Sequence, residues 1–153
     1  SEFLSIFGNV FEKTESVALK VFELKPFKDF DDIVSKMLKI YEEYDRDKIL
    51  EILNSHPELA IEKKLTTESK LEQTSANLNE CSEEEFEEFK KLNLEYKTKF
   101  GFPFIIAVKG KNKNEILVNF RERIQNDLNK EFLEAKNQVK KIASFRLKDI
   151  LSF

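Results

Sequence analysis

Apolar residues recur at three- and four-residue spacing through most of this chain, the period of an amphipathic helix. Residues 3–8 read as a short amphipathic opening element that ends at Gly8. Val10, Val17, Val21 and Leu24 then recur on one side of a helix over 10–24, with Phe11 and Phe22 flanking. Lys25-Pro26-Phe27 stops it, because the residue before proline avoids the α region. Asp29 caps a helix to about Tyr44, with Ile33, Val34, Met37, Leu38 and Tyr41 inward. Residues 45–55 form another, apolar at Ile49, Leu50, Ile52 and Leu53 and closed by Pro57. After a polar segment, Glu62-Lys63-Lys64, Thr66 or Thr67 caps a helix through about Leu78. Ser82-Glu83-Glu84-Glu85 is a capping box, and the helix it starts has a stripe of Phe86, Phe89, Asn93, Tyr96 and Phe100. Residues 114–125 are helical, with Ile116, Leu117, Phe120 and Ile124 together, and Asn129 caps a last helix running to about Leu151.

One stretch breaks the helical period. Lys99-Phe100-Gly101-Phe102-Pro103-Phe104-Ile105-Ile106-Ala107-Val108-Lys109-Gly110 is uncharged from Phe100 to Val108, in a chain where 36% of residues are charged. Gly101 and Pro103 punctuate its start, and Lys109-Gly110-Lys111-Asn112 is a turn. Residues 104–108 are an apolar, β-branched run too short for a helix of its own. The pattern therefore predicts an all-α fold: a compact, single-domain helical bundle over 1–153, with one short extended buried segment at about 103–109. Backbone buried outside regular structure must still find hydrogen-bond partners. Such a segment serves either as packing or as a grip on a ligand rich in amides.

Composition narrows the function. At 153 residues the chain suits one domain with a sizeable core, and its 15 Phe and absent Trp make that core Phe-rich. A net charge of −3 with both signs interspersed argues against nucleic acid, which selects a basic face. One His and one Cys cannot furnish the usual zinc set, and Cys81 alone cannot form an internal disulfide. No apolar run approaches the length of a membrane span. Neither Ser1-Glu2-Phe3-Leu4 nor Leu151-Ser152-Phe153 matches a targeting pattern, so a cytoplasmic protein is the expectation. No phosphate loop, dinucleotide fingerprint or Ser/His/Asp arrangement is visible. Cofactor-independent chemistry and pure binding are what remain.

Three places carry candidate chemistry. His56, the only histidine, ends a helix just before Pro57. It is either an acid/base group or a cation stabilised by the helix C-terminus. Ser69, Glu72 and Gln73 share one face of their helix, although Ser-x-x-Glu is also a capping box. Arg146 lies on the apolar stripe of the last helix, among Phe132, Ala135, Val139, Ile142, Ala143 and Ile150. A guanidinium aimed at a core needs a partner, either an internal carboxylate or a carboxylate substrate. Arg121 and Arg123 flank their own stripe and rank lower, with Arg123 in reserve.

Read together, these residues carry a likeness. His56-Pro57-Glu58-Leu59-Ala60, then Leu65-Thr66-Thr67-Glu68-Ser69-Lys70-Leu71-Glu72-Gln73, then residues 92–110 fall in the order seen in 2-oxo-4-hydroxy-4-carboxy-5-ureidoimidazoline (OHCU) decarboxylases. Phe7-Gly8-Asn9-Val10-Phe11-Glu12, Lys25-Pro26-Phe27 and Ile142-Ala143-Ser144-Phe145-Arg146-Leu147 extend the resemblance over nearly the whole chain. Lys25 stands where the family usually has arginine, and Glu15-Ser16 replaces a common Pro-Trp. The segment between His56 and Ser69 is shorter than in some members.

The resemblance implies the last step of urate breakdown to (S)-allantoin, by an all-helical, homodimeric carboxy-lyase that uses no cofactor and no metal. Its small-molecule substrate would be OHCU. The family's catalytic histidine falls on His56, with Glu72 orienting the imidazole and Arg146 supplying positive charge. Pro57, Ser69, Gln73 and the backbone of Phe104, Ile105, Ile106, Ala107 and Val108 would bind the ring and ureido amides. The competing reading is a non-enzymatic helical interaction module, with the central stretch as a peptide or subunit contact. A metal-dependent hydrolase is a third, disfavoured by the missing ligands.

Overall fold

The structure is a computed structural model that describes residues 2–60 and 65–152. The described residues form eight helices and no strand: α1 (Glu2–Phe7), α2 (Ser16–Phe22), α3 (Phe30–Glu43), α4 (Arg46–Ser55), α5 (Thr67–Ser75), α6 (Glu83–Phe100), α7 (Lys113–Arg123) and α8 (Leu128–Leu151). The fold is all-α, as the pattern predicts. The Glu62-Lys63-Lys64 segment lies outside the described residues.

Local signals set most helix starts. Asp29, Asp45 and Thr66 each accept a backbone N–H three residues on, and Ser82 closes its capping box with Glu85. Two starts differ from expectation by one or two residues. Asn112, not Asn114, opens α7 through a second capping box with Glu115. Asp127, not Asn129, caps α8 by accepting from Lys130 N–H. The helix expected to reach Leu78 stops at Ser75, and a single 3₁₀ turn, Leu78–Glu80, follows the left-handed Asn77.

The larger correction concerns 10–24. Its first third is a turn, and α2 begins only at Ser16. Lys13 adopts φ +50°, where its N–H donates to Asn9 Oδ1 at 2.8 Å. Glu12 is fully buried, drawn inward to polar partners that a helix on the Val10/Val17 face would not reach. Tertiary hydrogen bonding has overridden local propensity. Gly8 leads into this turn, and any Cβ there would meet the Leu4 carbonyl oxygen at 2.5 Å.

Helix α8 is the spine. It packs on α3, α4 and α6, and Tyr41 Oη of α3 donates to its Lys136 carbonyl at 2.8 Å. Phe132, Ala135, Val139, Ile142 and Ala143 face the core as the spacing predicts. So does Arg146, which is 4% exposed. After α6, Gly101 takes φ +81° as the helix cap, a conformation glycine adopts without strain. The chain then runs extended and buried through 102–108. Phe102 and Phe104 pack edge-on to Tyr96, and Phe104 stacks on Phe120 at 3.9 Å between ring centroids. No described helix is long and apolar enough to cross a membrane.

Candidate active site

The extended segment is pinned at two backbone groups. Ala107 N–H donates to Gln138 Oε1 of α8 at 2.9 Å, and the Ile105 carbonyl accepts from Arg123 Nη1 at 2.7 Å. Arg123 is buried beside Glu131 (2.6 Å), and its guanidinium lies 4.3 Å from the Phe104 ring centre. It does not merely flank its helix stripe: the chain end of α7 turns it under the segment. The N–H groups of Ile105, Ile106 and Val108 have no hydrogen-bond partner among the described residues. They therefore stay available to a ligand.

Opposite them, His56 ends α4, its backbone N–H bonded to the Leu53 carbonyl. The residue is 8% exposed and Nε2 is buried without a partner. Burial, with Arg146 next in weight, pulls the imidazole down to about 4, against a smaller upward pull from Glu12. At neutral pH His56 is uncharged. Burial without a partner at Nε2 favours the neutral imidazole over the helix-end cation. The turn behind it is held by two amides. Gln73 Oε1 accepts Ala60 N–H at 3.1 Å, and Gln73 Nε2 donates to the Glu58 carbonyl at 3.3 Å. Asn93 Nδ2 donates to the Leu59 carbonyl at 3.0 Å.

Arg146 resolves its own ambiguity toward internal carboxylates. Nε and Nη2 fork onto the two oxygens of Glu72, both at 2.9 Å. Nη1 donates to the Asn9 carbonyl (2.8 Å) and to Glu12 Oε1 (3.2 Å), and Nη2 also donates to Ser69 Oγ (3.2 Å). Ser69 passes its own hydrogen to Glu12 Oε2 at 2.7 Å. Thr66 accepts Ser69 N–H as the helix cap, so Ser69 and Glu72 are not a capping box. Both Glu72 oxygens are committed to Arg146, and neither orients the imidazole in this state. Glu12 is the carboxylate whose charge couples to His56. Burial alone would raise its pKa, but the Ser69 hydrogen bond, Arg146 and Thr66 hold it below the ordinary value.

These parts meet around one cavity. His56, Pro57, Ser69, Glu72, Gln73, Phe104, Ile105, Ile106 and Val108 line it, with Arg146 behind Ser69 and Glu72. Its enclosed volume is about 30 Å³, room for a water. A cleft of about 240 Å³ adjoins it and shares Glu72, Ile106, Val108 and Ile142 as its wall. Among the described residues no three His, Cys, Asp or Glu side chains converge as metal ligands.

The residues missed from sequence are Asn9, Glu12, Glu131 and Gln138, and Arg123 was held only in reserve. No local signal marks Glu12: two residues after Val10, it falls on the side of a helix away from Val10, Val17 and Val21. Arg123 flanks its helix stripe, and Glu131 and Gln138 carry no local signal that sets them apart from surface helix positions.

Comparison with known proteins agrees with this geometry. The OHCU decarboxylase family model matches residues 1–148. The uric acid degradation bifunctional protein of Bacillus sp. (strain TB-90) is 41% identical over 150 residues, covering 98% of this chain and 30% of that relative. The chain thus spans under a third of that longer protein. The 2-oxo-4-hydroxy-4-carboxy-5-ureidoimidazoline decarboxylase of Haloferax volcanii is 35% identical over 150 residues, covering 98% of this chain and 89% of the relative. A crystal structure of (S)-allantoin synthase superposes with a TM-score of 0.76 at 28% identity, over 97% of this chain and 50% of that one. This chain belongs to the OHCU decarboxylase family.

Proposed function

We propose that this protein is a carboxy-lyase that converts OHCU to (S)-allantoin and carbon dioxide in urate breakdown, without a cofactor. The observation that carries the reading is the convergence of His56, Ser69, Glu72 and Gln73 with Ile105, Ile106 and Val108, whose N–H groups are unpartnered, on one cavity. The family membership supports the same substrate.

The chemistry suits that cavity. When the bond from the hydroxyl-bearing carbon to the carboxylate breaks, its electron pair moves toward the adjoining ring carbon. The C=N of that carbon takes up the displaced pair at nitrogen, which gains a proton from solvent. The substrate ring is thus its own electron sink. His56, neutral and with a bare nitrogen, accepts the hydroxyl proton as a carbonyl forms. The same imidazole returns a proton to one face of the ureido-bearing carbon, which sets the (S) configuration. Arg146 and Glu72 fix the charge at the cavity mouth, and the 104–108 amides hold the ring and ureido carbonyls.

The test adds freshly made OHCU and follows the optical activity of allantoin against the slow spontaneous reaction. The wild-type protein accelerates the signal, and a chelator leaves the rate unchanged. His56→Asn loses on the order of 10²–10⁴-fold in rate, the usual reach of acid–base catalysis. Near-normal (S)-allantoin formation by His56→Asn would show the assignment of His56 to be wrong. An interaction module with no activity would show no acceleration in any variant.

The family resemblance also supports a single domain over 1–153, homodimeric assembly and a cytoplasmic setting. Sedimentation of the purified protein tests the dimer directly.

A further inference from the structure

Arg146 has two edges with different neighbours. The outer edge, Nε and Nη2, forks onto Glu72, whose side chain is 31% exposed and lines three adjoining cavities. The inner edge, Nη1, meets the 9–12 turn: the Asn9 carbonyl at 2.8 Å and Glu12 Oε1 at 3.2 Å. Glu12 has no exposed surface. It receives four donors besides Arg146's electrostatic pull: Thr66 Oγ1 at 2.8 and 3.1 Å, Ser69 Oγ at 2.7 Å, Asn9 Nδ2 at 3.2 Å and Arg146 Nη1 itself. The turn that delivers it is locked by Asn9, whose Nδ2 also reaches Glu68 Oε2 at 2.9 Å. A carboxylate so enclosed is held in one place, whereas Glu72 borders open space.

Resting on the functional reading above, we propose that Glu12 is a positioning residue of this site: a fixed counter-charge that holds the inner edge of Arg146 and balances its charge beside His56. Glu12 touches neither cavity nor substrate and acts through its neighbours. Its charge is what separates this role from packing. Arg146 alone beside His56 would disfavour a proton on the imidazole; Glu12 opposes that effect, and Glu72 from α5 is the remaining charge at the cavity. The residues facing His56 from 104–108 are uncharged. Ser69 and Thr66 donate to Glu12 from the first turn of α5, so the same carboxylate ties α5 to α8 through Arg146.

The chain's single histidine makes the test direct, because one imidazole resonance reports the site. Glu12→Gln keeps the shape and removes the charge. The resonance then titrates about one unit lower than in wild type. On OHCU, kcat falls by about 10²-fold, the cost of a displaced catalytic group, and the acid limb of the rate profile moves down with the imidazole. Glu12→Asp keeps the charge one methylene further back and recovers part of both. A merely structural Glu12 would lower the folded fraction and leave the titration of the folded protein unchanged. A folded Glu12→Gln whose imidazole titrates as wild type overturns the proposal. If Glu12→Gln does not fold, Glu12→Asp decides: wild-type kcat and titration overturn it, and a loss of kcat at near-normal stability supports it. The titration needs no turnover. If wild-type protein fails to accelerate OHCU breakdown, the functional reading falls while the Glu12 question is still answered.

Discussion

Two buried arginines face two fully buried glutamates in this protein, yet the two centres do different work. Arg123 and Glu131 meet at 2.6 Å, and Arg146 and Glu12 at 3.2 Å, with side chains 8% and 4% exposed on the arginine side. The first centre is built locally, from the end of α7 and the start of α8. Glu131 accepts Tyr96 Oη (2.6 Å), Arg123 Nε (2.6 Å) and Asn126 Nδ2 (3.0 Å), and Arg123 goes on to hold the Ile105 carbonyl. The second gathers residues from the 9–12 turn, α5 and α8. Each leaves one polar nitrogen unpaired nearby: Arg123 Nη2 in the first, His56 Nε2 in the second. A guanidinium offers only N–H donors, so the spare nitrogen of Arg123 can only donate. His56 is neutral, borders a cavity and can accept. Burial and charge are shared by both centres; a proton acceptor facing removable space belongs to one.

The largest effect should come from breaking the local centre. Arg123→Ala strands Glu131 as an uncompensated buried charge, which costs about 3–5 kcal/mol. Urea denaturation followed by circular dichroism measures it. A loss under about 1 kcal/mol would mean that Glu131 finds other compensation, and the comparison would fail on its structural side. At temperatures where Arg123→Ala stays folded, the freed Ile105 carbonyl loosens the 104–108 grip, so KM rises more than kcat falls.

Next in size is a pH effect confined to the other centre. The folded state holds His56 at about 4, below its ordinary 6.5. Between those values the unfolded chain takes up a proton that the folded protein refuses, so stability falls as pH falls. The contribution is fully present above pH 6.5 and is lost progressively down to pH 4, about 3 kcal/mol in all. Glu12 works in the same direction at lower pH. Its carboxyl is held below the ordinary value, so its contribution exists above that value and disappears as pH falls through the folded one. Denaturation at pH 7, 5.5 and 4.5 should show a steeper decline for wild type than for His56→Asn. Parallel declines would mean that His56 is hydrated and cationic, against its burial.

The same contrast explains what could be read from the sequence. The helices were legible because caps and apolar periods are local: Asp29, Asp45, Thr66 and Ser82 sit where their helices start. The extended segment was legible because 104–108 lacks both charge and helical period. His56, Ser69, Glu72, Gln73 and Arg146 were reached through family resemblance, and their alternatives were settled only by contacts across the fold. Position alone suggested a cation at His56, and desolvation by the surrounding core reversed it. Glu12 was hidden because the apolar period of 10–24 continues across it, while the bonds that break the helix come from Thr66, Ser69 and Arg146, far along the chain. Arg123 ranked low and Glu131 was hidden for a related reason: polar residues on amphipathic helices are ordinarily solvated.

The smallest stability effect is the most discriminating, because it separates the two carboxylates of Arg146. Glu72→Gln removes the charge at the outer edge but leaves Glu12, Ser69 and the Asn9 carbonyl on the guanidinium. The Glu72 side chain is about a third exposed, so water replaces much of what is lost. The change in stability should stay within about 1 kcal/mol. Activity should respond differently, since the amide cannot reproduce the two-oxygen fork that faces the cavity; a loss of about 10²-fold is expected. Glu12→Gln should lose activity on the same order but show a larger loss of stability, because its charge is fully enclosed. Measuring both variants by denaturation and by OHCU turnover tests whether the inner carboxylate carries a share of the stability that the outer one does not. Equal stability losses would mean that Arg146 draws no distinction between its edges, and the asymmetry in exposure would then carry no functional meaning.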